Sequence, residues 1–334
     1  MRNTILAIES SCDDTSASVI NDGKIMSNII SSQIDHAKFG GVVPEIASRA
    51  HQKNIVFTVD KALNDAKVFK NDLSAIAFTI GPGLLGSLLV GSSFSKSMAF
   101  ALKIPLLAVN HLKAHALSHM IDNPNSKFPY LSLLVSGGHT QIILVKSYSC
   151  MEIVGETKDD AVGEAFDKSA KILGLEYPGG PLLDKLAQKG NSQKYKFSKT
   201  KVSDLDFSFS GIKTSFLYFI NDQLKINKNF IVDNLEDIAA SIQKSLVDML
   251  MEKIILASIK YKISEISISG GVAANSLLRK TIKTHSKEMN WKIYLPKIEY
   301  CTDNAAMIAY YAYFMYKEKL FSNYEITPEP RLKF

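Results

Sequence analysis

The chain has 334 residues, enough for two domains, and its 46% hydrophobic and 22% charged content excludes a disordered or low-complexity protein. A net charge of +6 is compatible with an acidic partner such as RNA without requiring one. Three cysteines, Cys12, Cys150 and Cys301, are odd in number and far apart, which argues against a disulfide framework and for a reducing cytosol.

The apolar run after Thr4 is broken at Glu9, so the start of the chain does not read as a signal peptide. Thr4 to Ile8 is a short strand ending in the polar turn Glu9-Ser-Ser-Cys-Asp-Asp-Thr15. Ser16 to Ile20 returns, Asn21-Asp-Gly23 makes a hairpin turn, and Lys24 to Ile30 is a third strand. After a loop with Gly40-Gly41, Pro44 suits the first turn of a helix that runs to about Ala66. Ser74 to Ile80 is a strand closing in Gly81-Pro-Gly83. The longest apolar stretch, Leu84 to Leu102, contains glycine, five serines and Lys96. It reads as a buried helix with small residues for close packing, not as a membrane span. Pro105 to Val109 is a buried strand that runs straight into His111-Leu-Lys-Ala-His115 at the start of a helix.

The second half repeats this order. Tyr130 to Val135, Gln141 to Val145 and Met151 to Gly155 are strands, the first two joined by Ser136-Gly-Gly-His-Thr140. A helix covers about Gly163 to Leu173. Glu265 to Ser269 is a strand ending in Gly270-Gly271, followed by a helix from Asn275, a strand from Lys292 to Leu295, and a helix starting near Asp303. Residues 174–262 form an insertion with helices of its own, the clearest from Leu235 to about Ile259. The fold class is therefore α/β with a duplicated topology: an N-terminal lobe over 1–125 and a C-terminal lobe over 126–334, with an expected cleft between them. On this reading His111 and Asp303 start equivalent helices, one in each lobe.

The residues that carry chemistry fall into three groups. His111 and His115 lie one turn apart on one helix face, so both imidazoles can reach one metal ion, and Asp303 supplies a third ligand. Three glycine turns, Gly81-Pro-Gly83, Ser136-Gly-Gly138 and Gly270-Gly271, offer backbone amides that approach a phosphate or carboxylate closely. No Walker lysine motif is present. Asp167, in Gly-Glu-Ala-Phe-Asp-Lys168, is a carboxylate for a ribose or an amine, or else helix-surface charge. From Lys185 to Lys201 six lysines and no acid are interleaved with Tyr195 and Phe197. That is either a solvated face or an RNA backbone contact with a base stacked on a ring.

Together these motifs resemble a known family over nearly the whole chain. Glu9-Ser-Ser-Cys-Asp-Asp-Thr15, Gly40-Gly-Val-Val-Pro-Glu-Ile-Ala-Ser-Arg49 with His51, the His111/His115 pair and Leu134-Val-Ser-Gly-Gly-His-Thr140 are similar to the bacterial tRNA adenosine threonylcarbamoyltransferases. So are Gly163-Glu-Ala-Phe-Asp-Lys168, Tyr177-Pro-Gly-Gly-Pro181, Asp206-Phe-Ser-Phe-Ser-Gly211, Ser269-Gly-Gly-Val-Ala-Ala-Asn275 and Cys301-Thr-Asp-Asn304.

The resemblance implies an actin/sugar-kinase/Hsp70-like fold. It implies transfer of a threonylcarbamoyl group from threonylcarbamoyl-AMP to the exocyclic amine of adenine 37, in tRNAs that read codons starting with A. Matched residue by residue, His111, His115 and Asp303 would bind one divalent metal, expected to be iron with zinc possible. Leu134, Val135, Ser136, Gly137, Gly138, Asp167, Gly180, Asp184 and Asn275 would line the donor site. Asp13 is the candidate catalytic residue. A non-catalytic paralogue and an ATPase subunit are expected partners beside tRNA, with a cytoplasmic location and no membrane. Two positions depart from the family pattern: Lys113 stands where a Glu is usual in the histidine motif, and Asp14 where a Glu is usual in the first turn.

Rival readings are weaker on the residues. A zinc protease needs Glu directly after the first His, and Leu112 stands there. A kinase or ATPase of the same fold would hold magnesium on carboxylates rather than a metal on a His pair. A scaffold paralogue would be expected to lack part of the trio.

Overall fold

A computed structural model describes residues 3–33, 36, 39–200 and 202–334. The chain divides into two compact units, Met1–Ser126 with Pro296–Phe334, and Lys127–Leu295. The first contains β1 (Thr4–Glu9), β2 (Thr15–Asn21), β3 (Lys24–Ser31), α1 (Pro44–Ala66), β4 (Ala75–Gly81), α2 (Leu85–Leu102), β5 (Leu106–Asn110) and α3 (His111–Leu117). Its sheet has the order β3-β2-β1-β4-β5, with the β1–β2 and β2–β3 pairs antiparallel and the β1–β4 and β4–β5 pairs parallel. Every residue of β1 and β4 is buried, as strands covered on both faces require.

The second unit contains β6 (Tyr130–Val135), β7 (Thr140–Val145), β8 (Met151–Glu156), α4 (Val162–Ile172), α5 (Gly179–Ala187), α6 (Ser210–Ile226), α7 (Phe230–Tyr261), β9 (Glu265–Ser269), α8 (Ser276–Glu288) and β10 (Lys292–Tyr294). Its sheet order is β10-β9-β6-β7-β8, with the same pattern of antiparallel and parallel pairs. Substituting β6 to β10 for β1 to β5 turns one order into the other, so the duplicated topology is real. Helices α5 to α7 are the inserted segment. Asn234 breaks the helical dihedrals of α7 (φ −130°), which is why helical periodicity in the sequence begins at Leu235.

In the first unit α1 starts on Pro44 and ends where Lys67 turns left-handed (φ 56°). Helix α2 is the one described helix long and apolar enough to cross a membrane. Its small residues Ser87, Gly91, Ser92, Ser95 and Ala99 are buried, while Val90, Phe94, Met98 and Leu102 pack on the β1–β2–α1 core.

One assignment from the sequence is corrected. The last helix, α9 (Ala305–Lys317), belongs to the first unit, not to the lobe beginning at residue 126. Its Ala305, Ala306, Met307, Ile308, Ala309 and Ala312 are buried, and its opening amides are taken by this unit. The Ala305 N–H donates to Ser16 Oγ at 2.9 Å and the Ala306 N–H to Asn28 Oδ1 at 3.2 Å. Chain order suggested membership in the second lobe. The packing of an almost wholly apolar helix decided otherwise.

Candidate functional site

The first unit carries a tight cluster of ionisable groups. Strand β5 hands the chain to α3 at Asn110, whose Oδ1 accepts the N–H groups of Leu112 (2.9 Å) and Lys113 (3.1 Å) as an N-cap. His111 and His115 then share a face, their ring centroids 4.7 Å apart and nearly perpendicular. Helix α9 is capped by Asn304, which accepts the Met307 N–H at 3.0 Å and so places Asp303 just ahead of its first turn. Asp303 Oδ1 lies 3.0 Å from His115 Nε2 and 3.4 Å from His111 Nε2. One ligand atom from each residue falls within 4.8 Å of the others.

Glu9, fully buried at the end of β1, holds this cluster from behind. Its Oε1 accepts the Ser11 N–H at 2.5 Å, and its Oε2 accepts the Thr79 hydroxyl at 2.6 Å. The same Oε2 meets His111 Nδ1 at 2.9 Å. A carboxylate only accepts, so Nδ1 carries the proton and Nε2 faces Asp303. Burial works against the Glu9 charge, but the His111 imidazolium and its hydrogen bond hold the carboxyl below its ordinary range. Burial likewise pushes His111 down, yet the Glu9 and Asp303 carboxylates raise it to about 10. Against the upward push of burial, His111 and His115 drive Asp303 well below the carboxylate range. Burial lowers His115, against the hydrogen bond to Asp303.

Two imidazole nitrogens and one carboxylate oxygen, with a carboxylate bracing one ring from behind, fit a divalent metal of the iron or zinc type with positions left open. Cys301 is not part of this set: its buried thiol lies 3.5 Å from the Lys297 carbonyl. All three candidate ligands belong to the first unit, so the expectation that Asp303 brings its ligand from the second lobe is wrong. Lys113 points away, its Nζ 5.7 Å from the Phe334 ring, and the buried Leu112 supplies no protease base.

The β1–β2 turn beside the cluster holds Asp13 and Asp14. His51 fixes it: Nε2 donates to the Cys12 carbonyl at 2.9 Å, leaving Nδ1 to accept the Thr15 hydroxyl at 2.7 Å. Ser87 Oγ donates to the same carbonyl at 2.9 Å. Asp13 lies against the Cys12 thiol, whose ionisation is pushed up by burial and then by the charge of Asp13. Asp14 is raised to about 7, chiefly by burial and further by the charges of Asp13, Asp303 and Glu9, against a hydrogen bond from Ser32.

The expected donor residues lie in the second unit: Leu134 to Gly138 at the end of β6 and in the turn after it, Asp167 on α4, Gly180 and Asp184 on α5, and Asn275 ahead of α8. After Leu134 and Val135, Ser136 closes a tight turn: its N–H donates to the His139 carbonyl (2.8 Å) and its Oγ accepts the His139 N–H (3.0 Å). A Cβ on Gly137 or Gly138 would meet nothing within 4 Å, so the space beside these two glycines is open. Asp167 Oδ1 accepts the N–H groups of Gly179 (3.0 Å) and Gly180 (2.9 Å), which ties α4 to the start of α5. Burial raises the Asp167 pKa despite those two donors. Asp184 accepts from Ser276 Oγ (2.7 Å), Ser276 N–H (3.1 Å) and Gln243 Nε2 (2.9 Å). Asn275 donates to Gln243 Oε1 at 3.0 Å and caps α8 by accepting the Leu278 N–H at 3.0 Å. Asp184 and Asn275 are thus joined through Gln243 and Ser276.

Two glycine turns do not serve as open amide cradles. At Gly81 a Cβ would sit 2.0 Å from the Glu329 carbonyl oxygen, and the Gly83 N–H donates to the Pro330 carbonyl at 3.1 Å. That turn is covered by the chain's own C-terminal segment. Gly270 (φ 88°) packs against the Val135 carbonyl, 2.4 Å from where its Cβ would be. The aromatic residues of the lysine stretch also pack within the unit, Phe197 buried and Tyr195 half-buried. Phe197 packs on Phe216 and Phe219, and Tyr195 on Phe219 and Phe230. Lys194 pairs with Asp237 at 2.7 Å and Lys189 with Glu236 at 3.7 Å. Lys201 lies outside the described residues.

Three participants carry no role in the motif reading: Glu9, Gln243 and Ser276. Glu9 had a signal, a charge closing an otherwise apolar strand. Gln243, in the middle of a long helix of the insertion, had none.

The duplicated sheets and the histidine–aspartate trio define a member of the actin/sugar-kinase/Hsp70-like fold with a candidate metal centre. Solved structures agree on the fold: full-length HypF in a phosphate- and nucleotide-bound form aligns over 95% of this chain and 46% of its own, with TM-score 0.64 and 14% identity. Component A of the (R)-2-hydroxyglutaryl-CoA dehydratase of Acidaminococcus fermentans aligns over 94% of this chain and 98% of its own, with TM-score 0.54 and 17% identity. The family model for tRNA N6-adenosine threonylcarbamoyltransferase matches residues 24–310. Curated proteins of that name are 52% identical in Cytophaga hutchinsonii (100% of this chain, 97% of that one) and 54% identical in Phocaeicola vulgatus (96% of each). The chain belongs to the tRNA N6-adenosine threonylcarbamoyltransferase family, and it is a tRNA-modifying transferase.

Proposed function

We propose that this chain transfers the threonylcarbamoyl group of threonylcarbamoyl-AMP to the exocyclic amine of adenine 37, in tRNAs that read codons starting with A. The observation that carries this reading is the intact trio of His111, His115 and Asp303, braced by Glu9, in a chain whose curated relatives match it over nearly its full length. In the second unit the turn through Gly137 and Gly138, with free space beside both glycines, suits the donor's anionic groups. Asp167, Gly180, Asp184 and Asn275 bind and orient the nucleotide part. In the first unit His111, His115 and Asp303 hold one divalent ion per subunit, iron or alternatively zinc. Bound there, such an ion would supply Lewis-acid chemistry.

The adenine amine attacks the carbamoyl carbon, the bond from that carbon to the phosphate oxygen breaks, and AMP leaves. Asp13 is the carboxylate assigned to take the proton that the amine nitrogen gives up. A non-catalytic paralogue and an ATPase subunit are the further partners of this reading, with a cytoplasmic setting. Mass analysis of tRNA nucleosides, after incubation of the purified chain and partners with tRNA and donor adenylate, tests it. N6-threonylcarbamoyladenosine at position 37 is expected. Unmodified adenosine with all components present would overturn the assignment.

A further inference from the structure

We infer that the solvent face of α8, carrying Lys280, Lys283 and Lys287, is a docking surface for the tRNA phosphate backbone; this rests on the function proposed above. The helix buries Leu278 and Ile282, and the three lysines stand exposed on the opposite side. Spaced at i, i+3 and i+7, they span about 10 Å along the axis. From Ser276 to Lys287 the helix contains no acid, and its single acid, Glu288, is engaged by His285 at 2.9 Å. Among the described residues none of the three lysines is in a salt bridge.

Other helices treat their exposed charge differently. Helix α1 pairs Glu45 with Arg49 (2.7 Å) and Lys61 with Asp65 (3.8 Å); α6 pairs Asp222 with Lys225 (2.7 Å); α7 pairs Lys244 with Asp248 (2.7 Å). Intrahelical pairing adds a few tenths of a kcal/mol each, and α8 forgoes it among these lysines. Lys287, in the last turn, gains from the helix dipole, but Lys280, in the second turn, does not. Unpaired like charges on one face are a cost to the folded chain that a polyanion would offset.

Position strengthens the charge argument. Helix α8 begins at Asn275 and Ser276, the residues joined to Gln243 and Asp184 in the proposed donor network. The lysine row therefore starts about one turn beyond groups assigned to hold the donor. A tRNA whose adenine reaches that donor must bring its backbone nearby. The lysine stretch 185–201 fits the role less well, because Lys189 and Lys194 are paired and its aromatic rings are packed inside the unit.

The test uses the full chain and an unmodified tRNA transcript. Affinity is measured across a salt series for the wild type, for Lys280→Gln/Lys283→Gln/Lys287→Gln, and for a control of equal charge change, Lys53→Gln/Lys67→Gln/Lys70→Gln. The α8 variant should bind on the order of tenfold more weakly near physiological salt, and its log–log salt slope should fall by about 2 to 3. The control should keep the wild-type slope, and all three should keep the same thermal midpoint and donor affinity. A wild-type slope in the α8 variant would overturn the inference and leave the enzyme assignment standing. A variant that keeps tRNA affinity but loses a protein partner would assign the face to that partner and also overturn it. A wild type that binds no tRNA at any salt would overturn both.

Discussion

The β1–β2 turn of the first unit and the β6–β7 turn of the second occupy the same place in two copies of one topology, and they are built for opposite charges. The first follows Glu9 with Asp13 and Asp14, and it borders two histidines and Asp303. The second is Ser136-Gly-Gly-His139, with two glycines at which an added Cβ would meet nothing within 4 Å. One copy concentrates carboxylates where a cation can be held. The other removes side chains where an anion can approach the backbone. Duplication supplied two equivalent corners, and the division of labour lies in a few residues at each.

Breaking the cationic corner should have the largest effect. Asp303→Ala removes one of three ligand atoms and leaves the His111 imidazolium with a single buried carboxylate partner. Metal content by elemental analysis and transfer activity should both fall below detection. The chain should stay folded by circular dichroism, because α9 is anchored on β2 and β3 through Ala305 and Ala306. Cys301→Ser is the matched control and should keep metal and activity. Loss of metal in Cys301→Ser equal to that in Asp303→Ala would replace the open site by a closed structural one.

The bracing carboxylate and the glycine turn come next, each with a readout confined to its own corner. In Glu9→Gln one of the two oxygens becomes an NH2 that faces a donor, either Ser11 N–H or the Thr79 hydroxyl with His111 Nδ1. Metal affinity should drop by about ten- to a hundredfold, measured by competition with a chelator, while donor binding is unchanged. Gly137→Val should do the reverse. The protein has room for the new side chain, so stability should hold, but the amide approach is blocked. One or more lost hydrogen bonds to a charged group corresponds to roughly ten- to a hundredfold weaker donor binding by calorimetry. If either variant disturbed both ligands equally, the two corners would not be the independent devices described.

Much of this is legible in the sequence, for identifiable reasons. Strands such as Thr4–Glu9 and Tyr130–Val135 are apolar on both faces and bounded by turn residues, and the repeated order of elements exposes the duplication. The His111/His115 pair announces itself by helical spacing. Non-local choices were not legible. The unit on which α9 packs depends on Ser16 and Asn28, far from it in sequence. Whether a glycine turn is open or covered depends on distant chain: Glu329 and Pro330 fill the space at Gly81 and Gly83, and nothing fills it at Gly137. Tyr195 and Phe197 look like stacking platforms until α6 and α7 supply Phe216, Phe219 and Phe230 to pack them.

The smallest effect sharpens the comparison from the acidic side. Asp14 is raised to about 7 by burial and by its carboxylate neighbours. A carboxyl raised on folding is protonated in the native chain and ionised in the unfolded one between its unfolded value, near 4, and about 7. Stability therefore falls as pH rises through that window and levels off above it. Asp14→Asn is neutral throughout, so it should match the wild type near pH 4 and exceed it at pH 8. The full shift would correspond to about 4 kcal/mol in a site closed to water; with the side chain partly open, a gain of about 2 kcal/mol is expected. Urea denaturation of chelator-treated protein at the two pH values measures it. Adding zinc should shrink the gain, because a cation at His111, His115 and Asp303 favours the ionised form of a nearby carboxyl. A gain that is the same at pH 4 and pH 8 would mean that Asp14 ionises in the native state as readily as in the unfolded chain, and that the first turn carries its negative charge at less cost than its burial indicates.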